Sequence, residues 1–328
     1  MRILPIFIPH LGCPFACVYC NQHQITKTQK PDLDNIFQEA QNFCRKNKNL
    51  VKEIAFFGGT FTGLPALEQK KILDRIAPLL DDKTAIRIST RPDKITPEIL
   101  EFLSAQGVKT IELGIQSFSD QVLAASKRGY SSHTARLSCQ LIQQHGFDLG
   151  IQIMPGLPGF STETLRYTLD TIIQLKPKFV RIYPTIVLAD TELGQLYQAG
   201  LYKPLSLEKA IELAAQIFWE LSENQIPVSK LGLHSDLDPA AVWAGPYHQS
   251  FGELVRAKIL SQQITSQYLA GHTIHISQRD ISLFRGFGQT MLSNLKSELN
   301  ISQLPIIIDP TLAQSQFKLS LQKAEKIW

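Results

Sequence analysis

Six short apolar runs punctuate the first 185 residues, and amphipathic stretches separate them. The runs lie at residues 2–8, 53–57, 85–90, 110–116, 148–154 and 179–183. Apolar runs of that length, spaced by helix-sized segments, predict repeated βα units around a parallel sheet. The intervening segments carry helix-start signals. A helix is expected from Asp32 to about Lys46, another after Pro65, and a third with Thr96 as N-cap and Pro97 at its first position. An open Rossmann-like sheet and a barrel share this alternation, so spacing alone leaves both open.

Near Asp190 the pattern changes. Ser206 can cap a long helix from Leu207 to about Asn224, with Ile211, Ala214, Ala215 and Phe218 at helical spacing. A short run at 228–233 would extend or close the sheet. Beyond it come a Gly-Pro-Tyr-His turn at 245–248, a helical stretch from 251 to about 262, and short strands at 273–276, 304–308 and 317–319. The expected division is a core domain over residues 1–205 and a smaller α+β domain over 206–328. A chain of 328 residues with 44% hydrophobic content can fill both cores.

The loop after the first run reads Cys13-Pro14-Phe15-Ala16-Cys17-Val18-Tyr19-Cys20. Three thiolates at C-x3-C-x2-C can ligate three irons of a [4Fe–4S] cube, whereas a fully ligated cube takes four cysteines. The missing fourth ligand leaves one iron open to a small chelating molecule. Other readings of the triplet stand beside this one. A structural zinc site needs four ligands, and His10 or His23 could complete a Cys3His set. Cys17 and Cys20 alone would make a redox C-x-x-C pair, with Cys13 superfluous. Five cysteines, an odd number in a long chain, argue against a disulfide framework. The remaining two, Cys44 and Cys139, fall on apolar helix faces and read as small buried hydrophobes.

The ends of the other runs concentrate Gly, Pro and polar residues. Phe57-Gly58-Gly59-Thr60 ends the second, where two glycines let backbone approach a ligand, although Gly-Gly is most often a turn. Ser89-Thr90-Arg91-Pro92-Asp93 ends the third; the fork of Arg91 matches a carboxylate, and a plain ion pair with Asp93 is the bland alternative. Gln116 ends the fourth and offers both donor and acceptor, unless it is a satisfied strand-end amide. Met154 begins a Pro-Gly-rich turn after the fifth, where a Met is more often core. Tyr183 ends the sixth, suited to substrate contact or to packing alike.

With these motifs in place, the chain resembles the radical S-adenosylmethionine (SAM) enzymes and, within them, the Elp3-like branch. The runs at 57–65, 88–93, 113–118, 150–159 and 181–191 carry the likeness. The segment RIYPTIVLADTELGQLYQAGLYKPLS resembles the stretch that follows the barrel in Elongator subunit 3. The resemblance implies a partial (β/α)6 TIM-like barrel and two cofactors, a [4Fe–4S] cluster on Cys13, Cys17 and Cys20 and SAM at the open iron. It implies an enzyme that cleaves SAM reductively to a 5′-deoxyadenosyl radical, fed by an electron donor such as flavodoxin or ferredoxin. It places SAM contacts at Tyr19, Gly58, Gly59, Thr60, Ser89, Arg91, Gln116 and Met154. Its branch modifies the wobble uridine of tRNA, which makes a tRNA nucleoside the expected substrate class. The residues after Ser206 hold no convincing Gly-rich acyl-CoA loop, so a stand-alone protein without an acetyltransferase domain is expected. Two alternatives remain: a small-molecule enzyme resembling oxygen-independent coproporphyrinogen oxidase, and a non-catalytic iron–sulfur binding or assembly protein.

Residues 245–255 resemble the C-terminal domain of stand-alone bacterial proteins of this branch. They are expected near the open face of the barrel, where a carbon radical needs shielding from solvent. His248 and Glu253 are their best polar candidates and join Tyr183 as candidates for a catalytic role that the sequence leaves open; a cap and a solvent-facing carboxylate are the plain alternatives. No apolar run approaches the roughly 20 residues that span a bilayer, and an oxygen-sensitive cluster suits a reducing cytoplasm. The net charge of +4 neither requires nor excludes a nucleic acid.

Overall fold

The structure, a computed structural model, describes residues 2–8, 12–13, 17–21, 32–233, 237–285 and 290–321. His10, Pro14 and His23 lie outside the described residues. Two compact units emerge, one of residues 1–210 with 220–249 and one of 211–219 with 250–328. The segment 220–249 thus groups with the first unit, where the sequence division at 205 had put it in the second.

The first unit is built on a seven-stranded parallel sheet. Its strands are β1 (Arg2–Phe7), β2 (Lys52–Phe57), β3 (Thr84–Thr90), β4 (Val108–Gln116), β5 (Asp148–Ile153), β6 (Phe179–Ile182) and, after a short β7 (Val187–Leu188), β8 (Val228–Leu231). They stand in the order β1-β2-β3-β4-β5-β6-β8, each paired in parallel with the next. This order decides between the two folds that spacing left open. A doubly wound sheet reverses its strand order at a switch point. Here the order never reverses, so successive right-handed crossovers put their helices on one face. Those helices include α1 (Leu33–Lys46), α2 (Ala66–Ile76), α3 (Pro97–Ala105), α4 (Asp120–Ala125), α5 (Ser132–Gln144) and α6 (Thr162–Leu175). The start signals hold at atomic level: Thr96 accepts from Ile99 N at 3.3 Å, and Ser131 and Ser161 cap α5 and α6 likewise.

Because side chains alternate across a strand, β2–β6 sort into two sets. Ile54, Phe56, Ile86, Ile88, Ile111, Leu113, Ile151 and Val180 are fully buried and form the helix-facing core. The other set holds the polar residues Glu53, Arg87, Ser89, Thr110, Glu112, Gln116, Gln152 and Arg181, with Phe57 and Phe179 among them. The sheet curls around this polar face. The Arg181 guanidinium on β6 sits 4.6 Å from the Phe57 ring on β2. Flat strands about 4.8 Å apart would set those two strands roughly 19 Å from each other. The result is a curled half-barrel whose two outer strands are not paired to each other.

Beyond β6, β7 pairs antiparallel with β9 (Val242–Ala244), and α7 (Glu192–Gln198) and α8 (Leu207–Glu223) follow, the latter capped by Ser206 on Lys209 N at 3.2 Å. The second unit contains α9 (Phe251–Gln267), β10 (Thr273–Ser277), α10 (Ile281–Arg285), α11 (Thr290–Glu298), β11 (Ile306–Asp309) and β12 (Phe317–Ser320). Its three strands form a mixed sheet with β10 central. Ile274 and Ile276 pack there with Leu260, Ile264, Phe284, Leu295 and Leu304. Among the described residues no helix is long and apolar enough to cross a membrane.

Candidate active site

The cysteine loop is seated on the turn that follows β2. Gly12 has φ +72°, and a Cβ on it would lie 2.2 Å from the Thr60 carbonyl oxygen. A Cβ on Gly63 would lie 2.2 Å from the Gly12 carbonyl oxygen. Only two glycines allow the backbones to meet this closely. Beside this contact the Cys13 Sγ and Thr60 Oγ1 are 3.1 Å apart, and Thr60 is buried. Gly58, at φ +95°, turns the chain out of β2 in a conformation closed to most side chains.

Cys20 N donates to Cys17 O at 3.0 Å, closing a tight turn. Cys17 is buried; Cys13 and Cys20 are half-buried. Two guanidinium groups face the Cys17 sulfur, Arg128 Nη1 at 3.1 Å and Arg91 Nη1 at 3.8 Å. Both arginines are buried. Arg91 makes its ion pair with Asp93 at 2.9 Å and also donates to Arg128 O at 2.5 Å. The plain pairing that stood as the alternative is therefore present, but inside the protein and next to a cysteine. Arg128 also donates to Tyr19 OH at 3.0 Å, to Tyr130 OH and to Gly114 O. Tyr130 OH donates in turn to Gly114 O and Ile115 O, each at 3.0 Å. Burial pushes the Tyr19 and Tyr130 phenols up, against the pull of Arg128, so both stay protonated.

Tyr19, Met154 and Tyr183 come together in one apolar cluster with Val122 and Leu157. Gln116 is bent out of β4 at φ +70°, where the register with β5 shifts, and its carbonyl accepts from Met154 N at 2.9 Å. Such a bulge re-aims a strand-end side chain. The Gln116 Oε1 accepts from Gln152 Nε2 at 3.2 Å. Ser89 carries a buried hydroxyl with no hydrogen-bond partner among the described residues, the sort of orphan that a bound ligand satisfies.

Below these residues runs a buried ionic network. Glu53 and Arg87 pair at 2.5 Å, and Glu53 also accepts from Thr110 Oγ1 at 2.9 Å. Glu112 lies 3.6 Å from Arg87 and 3.2 Å from Arg181, which donates to Tyr183 OH at 3.2 Å. Burial raises the Glu112 carboxyl pKa, although Arg181 and Arg87 pull it down.

Of the three catalytic candidates, Tyr183 joins the apolar cluster. His248 is half-buried in the first unit, and Glu253 is exposed in the first turn of α9 in the second. Gly245 presses on Ile186 and Thr185, just past β6, so this turn reaches the strand-end side of the half-barrel. Cys139 is buried as expected, whereas Cys44 is only half-buried.

Sequence reasoning missed Arg128, Tyr130 and the partners of Glu112. A usable signal for the first two was Arg-Gly-Tyr just after the short helix following the fourth strand. For the network it was charges at alternate positions of strands that are otherwise apolar.

The residues fit a cluster with an open iron and a polar ligand beside it. Three cysteines share one loop, cations face the sulfur of one of them, and an orphaned hydroxyl sits on a neighbouring strand. Among the described residues no three His, Cys, Asp or Glu side chains converge as ligands of one metal ion would.

Comparison with known proteins agrees. Residues 7–172 match the radical SAM superfamily, and residues 177–261 match the radical SAM C-terminal domain. A tRNA uridine(34) acetyltransferase of Methanocaldococcus infernus is 30% identical over 176 residues, covering 52% of this chain and 32% of that protein. The heme chaperone HemW of Bacillus subtilis is 28% identical over 208 residues, covering 61% of this chain and 54% of that protein. These matches thus span a third to about half of the relatives' own length. The solved structure of Methanocaldococcus infernus Elp3 with an N-terminal deletion aligns at TM-score 0.63 and 20% identity, over 87% of this chain and 68% of that one. Sheet order, cysteine loop and family match converge: the chain belongs to the radical SAM superfamily.

Proposed function

We propose that Cys13, Cys17 and Cys20 hold three irons of a [4Fe–4S] cluster and that SAM occupies the fourth, in an enzyme that modifies a nucleoside of tRNA. The superfamily uses both cofactors. What they supply when bound is the one-electron cleavage of SAM to a 5′-deoxyadenosyl radical. The observation that carries the reading is the seating of the cysteine loop on the Gly-Gly-Thr turn through Gly12 and Gly63. It brings the metal-ligating loop against the turn best suited to a close-approaching ligand.

The chain's own groups then have distinct tasks. Arg91 and Arg128 offset negative charge on the thiolates and on a carboxylate beside them. Thr60 orients Cys13. Ser89 and Gln116 offer a hydroxyl and an amide to sugar hydroxyls. Tyr19, Met154 and Tyr183 give an apolar wall for a base and keep water from the reacting atoms.

The tRNA substrate is supported by the acetyltransferase relative. A second reading, a porphyrin-type ligand, is favoured by the heme chaperone match, which runs over more of this chain. The chemistry itself is tested without knowing the substrate. Anaerobically reconstituted protein, given dithionite and SAM, should release 5′-deoxyadenosine. Cys17→Ala should release none, and release at the normal rate would sink the cysteine assignment.

A further inference from the structure

We propose that the segment from Val187 to Gly194, remote in sequence from the cysteines, is the holder of the cysteine turn and sets how firmly iron is retained. The proposal rests on the reading that Cys13, Cys17 and Cys20 are the iron ligands. Leu193 N donates to Val18 O at 2.7 Å. Leu193 is in the first turn of α7, where amides lack an intrahelical acceptor, so a donor that the helix cannot use grips the turn between two cysteines. Val18 is buried against Val187 and Leu193, all three at most 1% exposed. On its other side Val18 N donates to Ser126 O at 3.3 Å. The turn is thus gripped by two segments at once, and Lys127 and Glu192 join those segments at 2.6 Å.

The holder is itself stiff. Thr191 Oγ1 donates to Leu188 O at 2.7 Å and accepts from Gly194 N at 3.0 Å, while Thr191 is buried. Gly194 leaves no room for a side chain against Leu188 O and the Trp243 ring. Groups that orient metal ligands from outside the coordination shell commonly control retention. Leu193 and Thr191 are positioning residues in that sense: they touch no iron and act through Val18.

The test compares Leu193→Ala and Thr191→Val with Thr191→Ser, which keeps the hydroxyl, and with Leu169→Ala. Leu169 is just as buried but lies on α6, with no part in the grip. Iron loss to excess chelator is followed by the cluster's visible absorbance, and amide hydrogen exchange at residues 17–20 is measured on the iron-free chain. Leu193→Ala and Thr191→Val should lose iron roughly tenfold faster than the wild type and exchange faster at 17–20. Thr191→Ser and Leu169→Ala should match the wild type in both. Wild-type retention and exchange in Leu193→Ala and Thr191→Val would overturn the proposal, as would an equal acceleration in Leu169→Ala. A wild-type chain that takes up no iron would sink the ligand assignment instead, and the exchange data alone would then judge the holder.

Discussion

Gly12 and Gly63 show how a residue can act by what it lacks, since each leaves space for the other's carbonyl. Their loops were legible in the sequence because Gly, Pro and Cys punctuate them. Arg128 was not legible. One arginine after a short helix looks like any solvated side chain until the fold brings it to Cys17 and Gly114. Cys139 was legible, because its helix face is apolar. Its burial also has a measurable consequence. Loss of solvation pushes this thiol up to about 12 from an ordinary 9.0. The unfolded chain therefore releases the proton first, and between those values the folded state holds more protons. Stability then falls as pH rises from about 9 to 12, by at most about 4 kcal/mol at 1.36 kcal/mol per unit. Urea titrations at stepped alkaline pH should show a shallower decline for Cys139→Ala. The difference between the two slopes is the readout, because the buried phenols of Tyr19 and Tyr130 contribute to both. Parallel slopes would rule this account out.

Among the elements, the six core strands were readable because each alternates or runs apolar for a strand's length. The polar stripe on β2–β6 was harder. Parallel strands covered on both faces usually read as continuous hydrophobic runs, and Glu53, Arg87, Glu112 and Arg181 break that habit on β2, β3, β4 and β6. Glu53, Arg87 and Glu112 meet across adjacent strands, and Arg181 reaches Glu112 across β5. An ion network of this kind is costly to desolvate, and removing one member leaves its partners charged and buried. Glu112→Ala should accordingly lower the unfolding free energy by about 3–5 kcal/mol. Urea unfolding at neutral pH measures it, and a loss below about 1 kcal/mol would mean that water or rearrangement already satisfies Arg87 and Arg181.

For the whole molecule, strand spacing left barrel and open sheet equal, and only the monotonic order of seven parallel strands separates them. The substrate is the part that neither spacing nor fold decides. A net charge of +4 is modest for a protein that grips a phosphate backbone, and the relatives point in two directions. Cells lacking the protein separate the readings. If the substrate is a tRNA nucleoside, mass spectrometry of their tRNA should miss one modified nucleoside, with porphyrin content unchanged. An intact nucleoside profile with altered porphyrins would transfer the case to the porphyrin-type reading.

The bond from Leu193 to Val18 joins the first βα loop to a segment made only after all six core strands. On a ribosome adding about 5–20 residues per second, roughly ten to thirty seconds separate the two. Throughout that interval the nascent cysteine turn lacks one of its two grips. A chain released before residue 187 is made therefore carries its cysteine turn on the Ser126 contact alone.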